Sequence, residues 1–230
     1  MDSADSRRDH YKQHLSRRCD ERGITLSEEQ CERLVRYVEL LLQWRQRINL
    51  TGLREPERVI DVLIIESLDF LQGDLLPPTA RVLDLGTGAG VPGVPLAVCA
   101  PRLHVTLLDR AHKKMSFLRR VVAALQLSNC ALITASAEEL ARRIQPQEQF
   151  DAVVSRGVGT IALLLALAAP LVRPGGLLLL RKPLQTPELQ EAAALLTSGV
   201  WHGVRTVPLR PGAHTAWALL AIGRASVGSD

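Results

Sequence analysis

The chain has 230 residues, 47% of them hydrophobic and 23% charged, with a formal net charge of +4. That balance suits one large domain, or one domain with an extension, and excludes disordered and collagen-like chains. The apolar, uncharged stretch 157–172 has only sixteen residues and contains Pro170; a membrane span needs roughly 20 apolar residues.

The opening residues, MDSADSRRD, carry no apolar signal-peptide core, so a cytoplasmic protein without a membrane partner is expected. Cys19, Cys31, Cys99 and Cys130 form no CxxC pair, and the six histidines form no HExxH motif. Neither a disulfide framework nor a metal site is expected.

The first twenty-odd residues are charged and lack a regular apolar pattern, which predicts a loosely held arm over 1–26. Ser27 with Gln30 three positions later reads as a capping box opening a helix. Leu34, Val35, Val38, Leu41, Leu42 and Ile48 then follow at helical spacing and give it one apolar face. A second amphipathic helix is predicted over about 55–71. Pro77-Pro78 closes a helical extension spanning 27–78.

From Arg81 the pattern alternates. Strands are predicted at about 81–85, 104–109, 130–134, 151–155 and 176–181, with helices at 93–99, 112–126, 137–143 and 160–168 between them. Such βαβ alternation makes a parallel sheet covered on both faces. After a further helix beyond Pro187, strands near 201–207 and 215–222 flank the turn Arg210-Pro211-Gly212 and should run antiparallel to each other. The domain predicted over 79–226 is therefore an α/β, Rossmann-like sheet, mostly parallel with an antiparallel terminal strand.

The most informative stretch is 81–97, RVLDLGTGAGVPGVPLA. A strand ending at Asp84 runs into Gly86, Gly88 and Gly90 ahead of a helix. Glycines there let a ligand approach the main chain, at the carboxyl edge where open α/β sheets bind ligands. Asp109 ends the next strand, where an acid accepts hydrogen bonds from ribose hydroxyls.

Two registers compete. Gly88-Ala89-Gly90-Val91-Pro92-Gly93 satisfies the dinucleotide pattern GxGxxG and keeps an NAD(P)-dependent oxidoreductase in view. The register Asp84-x-Gly86-x-Gly88-x-Gly90 is the acidic glycine loop of S-adenosylmethionine (SAM) enzymes, in which the acid helps position the amino-acid end of the cofactor. The late Gly175-Gly176 strand and the terminal strand pair favour SAM.

Asn49-Leu50-Thr51, Glu66-Ser67-Leu68, the loop from Asp84 to Ala97, Phe117-Leu118-Arg119, Ser155-Arg156 and Lys182 occur in order. Together they resemble the bacterial small-subunit (16S) rRNA guanine-N7 methyltransferase G family, also called glucose-inhibited division protein B. The resemblance implies a SAM-dependent methyltransferase fold behind a helical extension. By motif it places Gly86 and Val91 in the cofactor loop, Asp109 at the ribose, Ala137 and Glu138 beside the adenine, and Arg156 at the mouth of the cofactor and substrate pocket.

The chain departs from the family where Leu63 replaces a His, Glu66 an Asp and Ser136 an Arg, and where Pro183 follows Lys182. Leu63 and Ser136 motivate a competing reading, a non-catalytic RNA-binding assembly factor on the same fold.

Guanine N7 has a free lone pair and no proton, so no catalytic base is expected, and catalysis should come from alignment. Arg156 or Lys182 would hold a phosphate or the guanine O6. The expected partner is small-subunit ribosomal RNA or the ribosomal subunit, met by a monomer. Arg102, Arg110, Lys113, Lys114, Arg119 and Arg120 against Asp109 alone offer phosphate contacts. Aromatic residues are only 3% of the chain, so no base-stacking platform is expected.

Overall fold

The computed structural model describes residues 4–183, 186–196, 199–209 and 217–226. The expected 210–212 turn and the start of the last expected strand lie outside them. Helices α1 (Ala4–Asp20) and α2 (Glu28–Trp44) lead into α3 (Pro56–Val59), a π-helical segment (Ile60–Ile65), α4 (Glu66–Leu68) and a 3₁₀ segment (Asp69–Asp74).

The α/β part follows as β1 (Arg81–Leu85), α5 (Gly93–Cys99), β2 (His104–Asp109), α6 (His112–Ala124), β3 (Cys130–Thr134) and α7 (Ala137–Arg143). It continues as β4 (Phe150–Ser155), α8 (Ile161–Ala168), β5 (Val172–Pro183), the short α9 (Glu188–Glu191) and α10 (Ala193–Leu196), β6 (Trp201–Pro208) and β7 (Trp217–Arg224).

The strands form one sheet in the order β3-β2-β1-β4-β5-β7-β6. The first five are mutually parallel, and β7 lies antiparallel between β5 and β6. The period-two alternation of a strand sends Val82, Leu107, Val154, Leu179 and Leu219 to one core. Leu83, Leu108, Val153, Leu178 and Leu220 go to the other. Asp84 falls in phase with Val82, so its carboxylate enters the face that the helical extension covers.

The extension belongs to that same core, because Leu34, Val38, Leu41, Ile60 and Leu68 cluster with Val82, Leu107 and Phe117. The boundary at 78/79 falls at the Pro77–Ala80 turn, closed by Ala80 N donating to Pro77 O, but apolar packing runs across it. The Ser27–Gln30 capping box forms, and Gln30 Nε2 also donates to Cys99 O at 3.1 Å. This ties the start of α2 to the end of α5.

Two expectations are corrected here. The arm over 1–26 is mostly a docked helix: Leu15 and Cys19, one turn apart on α1, are each 1% exposed. Charge completes the docking. His14 and Arg18 reach Asp61 at 3.0 and 2.8 Å, and Arg22 reaches Asp69 at 2.5 Å. An apolar stripe two residues long leaves almost no periodic signal, and ion pairs leave none.

The second helix, expected as continuous over 55–71, is broken into α, π and 3₁₀ turns. Gln72 at ψ 154° and Gly73 at φ +73° end it. Spacing of apolar residues does not separate i→i+4 from i→i+5 bonding, so the break is invisible in the pattern.

Candidate functional site

A cavity of about 640 Å³ opens at the carboxyl edge of β1, β2 and β4, within the size of small-molecule sites. Gly86, Val91, Asp109, Ala137, Glu138 and Arg156 all line it. Sequence positions seventy apart thus meet on one surface.

The loop between β1 and α5 is held by three separate anchors. Gly88 N donates to Asp109 Oδ2 at 3.0 Å, and Ala111 N to Asp109 Oδ1 at 2.8 Å. Asp84 Oδ2 accepts from Thr87 Oγ1 at 2.6 Å and from Gly93 N at 2.7 Å. From the extension, the Tyr37 hydroxyl donates to Ala89 O at 2.7 Å. Tyr37 is fully buried, and burial pushes its phenol well above the usual value.

Gly86 sits at φ +72°, and a Cβ there would lie 2.6 Å from Val158 Cγ2. Its restriction therefore comes from protein as well as from any ligand. Gly88, at φ +58°, is different: a Cβ would meet nothing nearer than Gly86 O at 3.8 Å and Lys114 Nζ at 4.0 Å. The space beyond it is the cavity, so this backbone is open to a bound molecule.

Asp84 does not behave as the SAM-loop register implied. It is completely buried and absent from the cavity wall, so it cannot touch the cofactor's amino-acid end. It organises the loop from behind. Its Oδ1 has no hydrogen-bond partner, and burial, partly offset by Thr87 and Gly93, pushes its pKa up to about 7. Gly93 approaches so closely that a Cβ would lie 2.7 Å from Asp84 Oδ2 and 2.2 Å from Leu107 Cδ2.

This arrangement also decides between the two glycine registers. A dinucleotide enzyme offers the N-terminus of this helix to a pyrophosphate. Here Gly93 N is already given to the buried Asp84 carboxyl.

Ala137 and Glu138 begin α7, which Ser136 caps. Glu139 N donates to Ser136 Oγ at 3.2 Å, and Ser136 N to Glu139 Oε2 at 2.7 Å. The Ser at a position where the family has Arg therefore completes a capping box. Glu138 is exposed; hydrogen bonds from its own backbone and from Ser136 hold its carboxyl below the usual range.

Arg156 is not a surface charge. Its side chain is 14% exposed and lies 3.7 Å from Glu66 Oε2, and its guanidinium donates to Val62 O. Burial draws its pKa down, but a guanidinium stays charged throughout the working range. Glu66 also pairs with Arg181 at 3.1 Å. Arg181 in turn meets Asp69 at 2.8 Å, and Asp69 holds Arg22. This chain of charges runs from the end of α1 to the edge of the cavity, where removing one member would strand the next.

Lys182 does not reach the cavity. Its Nζ is held by Glu188 at 2.8 and 3.0 Å. Leu63, on the π-helical segment, is buried and contributes an apolar wall.

Sequence reading missed Tyr37 behind this site; it named Leu50 and Thr87 within motifs and Lys114 among phosphate contacts without assigning them to the cavity they line. Tyr37 falls on the buried face of α2, where its ring looks like ordinary core. Among the described residues no group of three or more His, Cys, Asp or Glu side chains gathers as a metal site, and no helix is long and apolar enough to cross a membrane.

A sheet of this order, with a glycine loop after β1 and an acid closing β2, defines the SAM-dependent methyltransferase class. Solved structures agree at the level of fold. Fibrillarin from Aeropyrum pernix, with natively bound S-adenosyl-L-methionine, aligns with a TM-score of 0.51 at 19% identity, over 67% of this chain and 73% of that one. An rRNA methylase from Streptococcus thermophilus aligns with a TM-score of 0.50 at 17% identity, over 70% and 96%.

Within that class the chain belongs to the rRNA small subunit methyltransferase G (GidB) family, whose model matches residues 30–205. Proteins named ribosomal RNA small subunit methyltransferase G are similar to it. That of Moorella thermoacetica is 37% identical over 191 residues, 80% of each chain. That of Clostridium beijerinckii is 37% identical over 162 residues, 70% of this chain and 68% of its own.

Proposed function

We propose that the protein transfers the methyl group of SAM to N7 of one guanine in small-subunit (16S) ribosomal RNA, acting as a cytoplasmic monomer. Family membership supports the RNA substrate. The observation that carries the choice of N7 is the make-up of the cavity wall. Among the described residues it contains no His, Cys or Tyr, and its carboxylates are Asp109, tied to two N–H groups, and the exposed Glu138. Asp84, a carboxyl that burial pushes up to about 7, is sealed behind the loop. A nucleophile that must lose a proton would need a base here; N7 does not.

The residues fit the cofactor. The Asp109 oxygens each keep a free lone pair for ribose hydroxyls after accepting one N–H. The open backbone at Gly88 admits the cofactor's chain, and Ala137 and Glu138 stand where the adenine edge would lie. When bound, SAM supplies an electrophilic methyl group. The protein's part is to hold that group and the base in line, where orientation is worth several kcal/mol. Arg156, fixed by Val62 O and Glu66, faces the cavity with the donors left over.

The test is incubation with radiolabelled SAM and small-subunit RNA lacking the modification, followed by nucleoside mapping and by rates from pH 6 to 9. Label in 7-methylguanosine and a rate without a rising limb are expected. Label on another atom, or a rate climbing tenfold per pH unit, would overturn the assignment.

A further inference from the structure

A second cavity, of about 530 Å³, is lined by α1, α2 and the loop that follows α2. Its walls include Arg7 and Tyr11 of α1, Glu39 of α2, and Arg45 and Arg54 of the loop. Arg45 is fixed in place, donating through Nη1 to Leu53 O at 2.9 Å and Arg54 O at 2.5 Å. Arg7 and Arg54 are exposed. Glu39 is already paired with Arg8 and Arg36, each at 3.2 Å. Nearby Glu57 is engaged by His10 at 2.8 Å. The cavity therefore presents three guanidiniums, and Glu39, the acid in its wall, is shared with Arg8 and Arg36.

The same loop walls both cavities. Leu50 lines the cofactor cavity, whose rim also carries Arg110 and Lys114, while Arg45 and Arg54 line the second. Leu50 and Arg54 are four positions apart, at most about 14 Å of chain. The walls of the two cavities therefore meet on this one loop, close enough for a single RNA segment to touch both. Planar, pre-organised guanidiniums suit phosphate oxygens.

We infer that the Arg7–Arg45–Arg54 pocket is a second RNA contact, holding one or two backbone phosphates beside the base that enters the cofactor cavity. The inference rests on the proposed RNA methylation, and it makes α1 part of the substrate surface. Arg7 precedes the residues that the family model matches.

The double variant Arg7→Ala/Arg54→Ala tests it and leaves Arg45, which holds the loop, untouched. Binding to unmodified small-subunit RNA is measured by filter retention between 50 and 200 mM salt, beside calorimetry with SAM. The slope of log affinity against log salt should fall by about 0.7–0.9 for each phosphate lost. The RNA concentration at half-maximal methylation should rise about tenfold, a loss of about 1.4 kcal/mol, with SAM affinity at the parental value. Arg7→Lys/Arg54→Lys should recover most of the slope, because a point charge still attracts phosphate.

An unchanged slope would overturn the inference. So would a loss seen only with assembled subunits, which would give the pocket to a protein, or a loss of SAM affinity, which would mean a collapsed loop. The parent is assayed first: if it places no methyl group on this RNA, the proposed function fails, whereas a methylating parent with an indifferent variant refutes the pocket alone.

Discussion

Replacing Asp84 with Asn removes a buried acid and keeps its shape. In the folded protein the Asp84 pKa is pushed up to about 7, chiefly by burial, against about 3.9 for an unfolded chain. The folded state therefore holds the proton more tightly. The contribution of Asp84 to stability is fully present below about pH 4 and is lost as pH rises to about 7. The gap between those two values corresponds to about 4 kcal/mol, an upper bound. Above pH 7 the carboxylate is charged in both states and the loss is constant.

The amide introduced by Asp84→Asn would accept from Thr87 and Gly93 through its carbonyl oxygen without carrying charge, so the variant should lack this slope. Urea unfolding at half-unit steps from pH 4.5 to 8 gives the stability of each protein. The difference between the two curves cancels every other titrating group. Variant minus parent should grow toward pH 7 and then flatten. Parallel curves, or a difference that shrinks with rising pH, would refute the buried, proton-retaining Asp84.

Three other substitutions test the supports of the site. Tyr37→Phe leaves the buried Ala89 carbonyl without its donor, and should cost about 1–3 kcal/mol and weaken SAM binding in calorimetry; parental affinity would show that the loop holds without it. Arg156→Ala should lower methylation and also destabilise the fold by about 1–3 kcal/mol, because Val62 O and Glu66 lose a partner. A variant with parental melting behaviour would mean that these contacts contribute nothing. Ser136→Ala removes the capping box of α7 and should cost about 1 kcal/mol in chemical denaturation; an unchanged midpoint would show the cap to be idle.

What was legible in the sequence was whatever repeats with a period or needs a particular backbone. The strands from Arg81 to Ser155 show as short apolar runs between helical segments, as in a sheet buried on both faces, and β1, β2 and β3 fall where expected. Gly86, Gly88 and Asp109 were legible because the loop needs positive φ and an acid at a strand end. Ala137, Glu138 and Arg156 came from motif resemblance and share the cavity, but their contacts were out of reach. Burial of Arg156 depends on Val62 and Glu66, roughly ninety residues away in the chain. The role of Asp84 was misread for the same reason, since only strand phase and the packing of Gly93 show that it faces away from the cavity. The pairing of Arg22 with Asp69, and of Lys182 with Glu188, has no sequence signature at all.

The position of β7 bears on how the protein is made. Among the described residues the last strand in chain order, β7, is an inner one, bonded to β5 on one side and β6 on the other. Until residues 217–224 emerge, β5 has an open edge along Leu177, Leu178, Leu179 and Leu180, and β6 has no strand to pair with. An apolar strand edge left open in a growing chain is a template for wrong pairing. Translation that stalls before Trp217 therefore leaves a complete cofactor loop in a sheet that cannot close, and a product bound for aggregation instead of slow activity.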